Sequence, residues 1–169
     1  MDAIEAILSR RSIRKYLPKL VTNESIQQIL QTAMNAPSAG NARPWHFIVI
    51  TDQALLRQIP RFHPYSNMLN HCPVAIAVCA DLDLERYRGF WVQDCSAAIE
   101  NMLIASNAMG LGAVWLGIYP IEERVDKLKT LLKLPRNIIP LALVALGYPI
   151  ENIKPINRFD PSRIHRNVW

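Results

Sequence analysis

The chain has 169 residues, 50% hydrophobic and 20% charged, with a formal net charge of +5. That length fills one core but not two ordinary domains, so a single domain over residues 1–169 is expected. The basic excess suits anionic ligands, yet no zinc-finger spacing, basic leucine zipper or RNA-recognition aromatic motif accompanies it, so nucleic acid is not an expected partner.

The stretch Met1-Asp2-Ala3-Ile4-Glu5 is acidic and lacks the basic-then-apolar form of a secretory signal. No apolar run reaches the roughly 20 residues that span a bilayer, so no membrane association is expected. Cys72, Cys79 and Cys95 are odd in number and form no CxxC pair, which reads as reduced, buried thiols in a cytoplasmic protein. His46, His63, His71 and His165 are scattered, with no helical His-x-x-x-His pair, and no metal site is expected.

In chain order, residues 2–9 are predicted to form a short helix, with Asp2 as N-cap, Glu5 completing a capping-box pattern, and Ile4, Ile7 and Leu8 on one face. Arg10-Arg11-Ser12-Ile13-Arg14-Lys15-Tyr16 follows, with four cations and a hydroxyl within six residues. Two readings of it are open. One is a cationic helix end, favoured by the dipole at about 0.3–1 kcal/mol per charge. The other is a phosphate site, with arginine forks and a serine hydroxyl as donors. Thr22 is predicted to cap a second helix that runs along Ile26, Ile29, Leu30, Ala33 and Met34 and stops by Ala36. Ala36 to Pro44 reads as a loop of turn formers, and Trp45 to Ile50 as a strand. A brief helix capped by Asp52 ends at Pro60, residues 61–72 are irregular, and Pro73 to Ala80 is a strand covered on both faces.

The longest helix is predicted from about Tyr87 to Met109. Trp91, Cys95, Ala98, Met102, Ala105 and Met109 recur at steps of four and three, and the polar remainder is thin. A helix so nearly apolar all round needs burial on most sides. In a chain this short that points to a subunit interface, with a central core helix in a monomer as the alternative. Gly110-Leu111-Gly112 ends it, Ala113 to Ile118 is a strand, and Tyr119-Pro120 breaks that strand. Residues 121–133 form a further helix, acidic early and basic late. Leu141 to Pro149 is the last buried strand, and the polar tail from Glu151, with Lys154, Arg158, Arg163 and Arg166, wraps a surface. Alternating strands and helices alone suggest a doubly wound parallel sheet.

Four motifs then take on one meaning together. They are Arg-Arg-Ser-x-Arg-x-Tyr at 10–16, Ala-Pro-Ser-x-x-Asn-x-x-Pro-Trp at 36–45, Gly-Leu-Gly-x-x-Trp-Leu-Gly at 110–117 and Leu-Gly-Tyr-Pro at 146–149. In this order, across essentially the whole chain, they resemble the nitroreductase family of flavin enzymes. The resemblance implies an α+β fold, an α-β-α sandwich with a mostly antiparallel central sheet flanked by helices and a C-terminal tail exchanged in a homodimer. That expectation replaces the parallel sheet.

The resemblance also implies FMN at the dimer interface. By matching position, Arg10, Ser12 and Arg14 hold its phosphate and ribityl chain, Arg11 lies close to the flavin or ribityl group, and Arg158 adds a second cation at the phosphate. Pro37, Ser38 and Asn41 approach from the other subunit. Leu116 and Gly117 line the ring, with a backbone N–H near flavin N5, and glycine permits the close approach. Arg43 stands where many family members have glutamine. The implied activity is an NAD(P)H-dependent flavin oxidoreductase passing hydride to a nitroaromatic, quinone or related acceptor by a ping-pong mechanism. A flavin-binding redox sensor or carrier, reductive dehalogenation and flavin fragmentation are the alternatives. Because the flavin carries the chemistry, no protein triad or carboxylate pair is expected.

Overall fold

The two most apolar segments of the sequence, Val74–Asp81 (β2) and Ile138–Gly147 (β4), lie side by side at the centre of one sheet, where helices cover both of their faces. A computed structural model describes residues 1–151, 154 and 156–169. Trp45–Ile50 (β1) and Gly112–Gly117 (β3) complete the sheet, in the order β1-β2-β4-β3. All three pairings are antiparallel. The antiparallel expectation therefore holds, and the parallel sheet read from alternation alone does not. The segments joining β1 to β2 and β3 to β4 return to the end of the sheet they left, so neither makes the crossover a parallel pair requires.

The helices among the described residues are Ala3–Ser9 (α1), Asn23–Met34 (α2), Gln53–Leu56 (α3), Trp91–Ala108 (α4) and Glu122–Leu132 (α5). Strand alternation divides the core into two layers. Val74, Ile76, Val78, Val144 and Leu146 face α2 and α4. Ala75, Ala77, Leu143 and Ala145 face Leu56 of α3, Leu128 of α5 and the short 3₁₀ turns between α3 and β2. Local chemistry sets the element ends. Thr22 Oγ1 accepts the Ser25 N–H at 3.2 Å and starts α2. Gly89, at φ 89°, holds Tyr87 to Phe90 in a turn, so α4 begins at Trp91 rather than Tyr87. At its other end Gly110, at φ 74°, lets the Leu111 N–H return to Ser106 O at 2.8 Å. Along α4 only Gln93 and Ala108 are exposed, so α2, the sheet and α1 cover most of it within one chain. No helix among the described residues is long and apolar enough to cross a membrane.

The cationic stretch begins as a helix end and continues as an edge strand. The Arg10 N–H closes α1 on Ala6 O at 3.1 Å, and the chain then runs extended along the outer edge of β3. The Ile13 N–H donates to Ala113 O at 2.9 Å and the Leu17 N–H to Tyr148 O at 2.8 Å. Two glycines make this close approach possible. Gly112 and Gly147 are paired across β3 and β4. A Cβ at Gly112 would stand 2.6 Å from Ile13 Cγ2, and one at Gly147 would stand 2.7 Å from Tyr16 Cδ1. Tyr16 is buried there, and its hydroxyl donates to Ile13 O at 2.6 Å.

Candidate functional site

The arginines are positioned by the end of α1. Asn107 of α4 donates from Nδ2 to Ala6 O at 2.9 Å and to Ser9 Oγ at 2.8 Å, which fastens the last turn of α1 to α4. Arg10 then reaches α4, with Nε 3.4 Å from Glu100 Oε1. Arg11 turns inward. Its NH1 donates to Arg10 O and Leu8 O, and its NH2 to Ile156 O of the tail at 3.3 Å. Its Nε is buried and has no partner among the described residues. Arg158 joins Arg10 and Arg11 in lining a cleft of about 550 Å³, together with Ile7, Leu8 and Phe159. Three cations from the two ends of the chain thus share one cleft in which Glu100 is the ion-pair partner of one of them. Such an arrangement is repulsive unless an anion enters it. Ser12 and Arg14 are exposed on the extended stretch, on the face opposite Ile13, and do not line this cleft.

The Pro37 loop lies elsewhere in the chain. Ser38 Oγ accepts the Arg43 N–H at 2.9 Å, and the Ala39 N–H donates to Asp94 Oδ1 of α4 at 2.8 Å. Gly40, Asn41 and Arg43 adopt φ values of 59°, 55° and 48°, which puts the Asn41 and Arg43 side chains in solvent. Asp94 and Glu100 are six residues apart, about 9 Å along the helix, so within one chain Pro37, Ser38 and Asn41 do not reach the arginine cleft. Asp94 was not among the expected site residues; its only signal in the sequence is a carboxylate on the apolar face of a helix. It is 5% exposed. Asp94→Ala should leave the Ala39 N–H unpaired and destabilise the fold by about 1–3 kcal/mol, read by thermal unfolding.

The third group lies at the open end of β3. The Leu116 side chain is buried in the core layer beneath α5, so any ligand contact at this position uses its main chain. Gly117 is half-buried, and a Cβ there would meet nothing within 4 Å. Its carbonyl accepts two donors, His63 Nε2 at 2.9 Å and Arg124 NH1 at 3.0 Å. Burial holds the His63 imidazole below its ordinary pKa against the opposing bond to Gly117, and the Arg124 cation adds to the lowering. The ring is therefore neutral at pH 7, with its proton on Nε2 facing the carbonyl. Nδ1 is buried and has no partner among the described residues. His63 and Arg124 carry no local sequence signal; only the tertiary fold brings them to Gly117. The three thiols are buried, and that burial pushes Cys72 up to about 11 and Cys79 and Cys95 to about 12, so none is a nucleophile at neutral pH.

The chain matches the model of the Nitroreductase family over residues 7–63 and 61–148. A Methanothermobacter thermautotrophicus protein, provisionally named an NADH dehydrogenase/NAD(P)H nitroreductase, is 51% identical over 100% of this chain and 88% of its own. The FMN reductase (NADPH) of Bacillus subtilis is 30% identical over 88% of this chain and 66% of its own. Among solved structures, an FMN-dependent nitroreductase from Clostridium difficile R20291 superposes with a TM-score of 0.91 at 27% identity, covering 98% of this chain and 99% of its own.

Proposed function

This chain belongs to the nitroreductase family and is an NAD(P)H-dependent flavin oxidoreductase; on that premise we propose that it binds FMN at the interface of a homodimer and passes hydride to a nitroaromatic, quinone or related small acceptor. The observation that carries the reading is the meeting of Arg10, Arg11 and Arg158 in one cleft, with Arg11 Nε buried and without a partner among the described residues. A buried guanidinium donor left unpaired is costly, and a phosphate monoester offers the acceptors that would satisfy it. The residues therefore fit the cofactor.

Arg10, Arg11 and Arg158 would hold the phosphate in that cleft, and Ser12 and Arg14, which lie outside it, would add donors to the ribityl chain from the exposed face of the same stretch. At Gly117 the missing side chain leaves open space on the half-buried edge of β3, which suits a flat ring. The chemistry supplied by bound FMN is acceptance of a hydride from NAD(P)H and delivery of the electrons to an acceptor. The chain's own share is to bind, to orient and to present main-chain donors. Pro37, Ser38 and Asn41 would complete the site from the second copy. The apolar tail residues Ile156, Phe159 and Trp169, 61%, 72% and 98% exposed in one chain, support a tail that packs on that copy.

The two substrates would take turns at one site, giving parallel lines in double-reciprocal initial-rate plots. The purified protein should be yellow and dimeric and should bleach anaerobically with NADH or NADPH, and an acceptor panel would then identify what restores the colour. A colourless protein that takes up no added FMN would overturn the reading. Arg43, exposed at the end of the loop, would bring a cation toward the flavin pyrimidine. Arg43→Gln should then move the midpoint potential to a more negative value, because the reduced anion loses a favourable charge. An unchanged midpoint in anaerobic redox titration would count against that role.

A further inference from the structure

We propose that the cleft beyond the end of β3 is a binding site for an aromatic cation, and that it selects the charge of the acceptor. The second half rests on the reading that Gly117 meets the flavin. Strand alternation places the cleft. Leu116 and Ile118 enter the core layer beneath α5, and Trp115 packs against the layer beneath α4. Gly117 and Tyr119 therefore face the α4 side, in one row with Trp115. A Cβ at Gly117 would meet nothing within 4 Å, so the row has a gap between two aromatic side chains. Tyr119 stands two residues past that gap, about 7 Å along the chain. Its ring meets that of Trp91, the first residue of α4, edge-on with centroids 4.8 Å apart. The pair walls a cleft of about 440 Å³, which Leu82 and Val125 line with further apolar surface and Glu122 and Asp126 line from α5.

Charge decides what the cleft takes. Glu122 and Asp126 are one turn apart on α5, and neither is in an ion pair among the described residues. Like charges at that spacing destabilise a helix. The cations of the same helix are directed elsewhere. Arg124 donates to Gly117 O at 3.0 Å, Lys129 donates to Arg136 O at 2.9 Å, and Lys127 lines a separate cleft with Arg61 and Phe62. Among the described residues no Lys or Arg lines the aromatic cleft. In a chain of net charge +5, two uncompensated carboxylates thus stand beside an aromatic wall. The wall attracts a cation through the negative face of its rings, and the carboxylates attract it by charge. Apolar neighbours lower the local dielectric and strengthen both. A neutral aromatic ligand gains the ring contact alone, and an anionic one is repelled. The fitting ligand is therefore a compact aromatic body bearing a quaternary or protonated nitrogen. Because Tyr119 borders the gap at Gly117, the same cleft favours cationic acceptors over anionic ones.

The test uses three nitroaromatics that differ in charge, (4-nitrobenzyl)trimethylammonium, 4-nitrobenzyl alcohol and 4-nitrobenzoate. The variants are Glu122→Gln combined with Asp126→Asn, and Tyr119→Leu. Both carboxylates are exposed, so the double variant should keep the parental fold, checked by thermal melt. Calorimetric titration of the full-length protein without nicotinamide should give the cation a Kd at least about tenfold below that of the alcohol. That preference should vanish in the double variant, and Tyr119→Leu should weaken both ligands. In the FMN-loaded protein, the ratio of kcat/KM for the cation to that for the benzoate should fall about tenfold from parent to double variant. Comparing the two proteins cancels the intrinsic difference in how readily the two acceptors are reduced. A parent that binds the cation no more tightly than the alcohol overturns the site, as does a double variant that keeps the preference or a Tyr119→Leu protein with unchanged binding. A tightly bound cation whose kcat/KM ratio is the same in parent and double variant overturns the role in selecting the acceptor. Failure of the parent protein to take up FMN would instead defeat the cofactor reading, and the titration would still decide the cleft.

Discussion

Arg10→Ala should strip FMN from a protein that remains folded. The fold loses little. Arg10 contributes a partly exposed ion pair to Glu100 at 3.4 Å, a contact worth about 0–1 kcal/mol. The end of α1 is held independently by Asn107, through Ala6 O and Ser9 Oγ. The ligand loses a charge-assisted donor, worth about 1.5–3 kcal/mol, so its Kd should rise about tenfold to a hundredfold. Arg14→Ala should act in the same direction with still less effect on the fold, because Arg14 is exposed and makes no ion pair among the described residues. Absorbance at the flavin band after dialysis, beside thermal melts of the apoproteins, separates the two effects. If both variants stay fully yellow, the assignment of this stretch to the cofactor is wrong.

Gly147→Ala should damage the fold and the cofactor site together. Its new methyl would sit 2.7 Å from Tyr16 Cδ1 and 2.8 Å from Cγ, at the root of a buried ring rather than at a flexible tip. Tyr16 has nowhere to yield, since its hydroxyl is tied to Ile13 O at 2.6 Å and Ala145 O at 3.3 Å. Overpacking of this kind costs about 1–3 kcal/mol, and for a chain of this size each kcal/mol lowers Tm by about 2–4 °C. Relief can come only by lifting the extended stretch off β3, which carries Arg10, Arg11, Ser12 and Arg14 away with it. FMN affinity should therefore fall more than stability alone explains. Gly117→Ala is the informative contrast. Nothing lies within 4 Å of its added methyl, so the apoprotein should melt unchanged while ring binding weakens. A Gly147→Ala protein with a parental Tm would show that the Tyr16 anchor is softer than its geometry implies.

Much of the architecture is legible without coordinates because it is local. Asp2, Thr22 and Asp52 each cap the helix they were expected to cap, since a cap needs only a side-chain oxygen and the next N–H groups. The strand at Trp45–Ile50 and the apolar run at Val74–Asp81 lie where composition puts them. The motif pattern reached further than periodicity. It implied the antiparallel sheet that alternation alone got wrong, because strand direction depends on where connections return and not on the strands themselves.

What only the tertiary structure decided is what lies next to what. Arg10 to Tyr16 has the charge of a helix end and a phosphate site alike, but no local rule says it must run extended beside β3. That follows from two glycines, Gly112 and Gly147, far along the chain, whose absent side chains leave room for Ile13 and Tyr16. Arg158 reaches the cleft of Arg11 only because the tail folds back, and His63 and Arg124 reach Gly117 only because the loop between two 3₁₀ turns and α5 flank the same strand end. A sequence by itself determines which donors, charges and small residues a protein has, since each is a property of one residue. The meeting of those groups in one cleft, or on one carbonyl, is a property of pairs separated by many residues, and it is set by the packing of the sheet and its two covering layers.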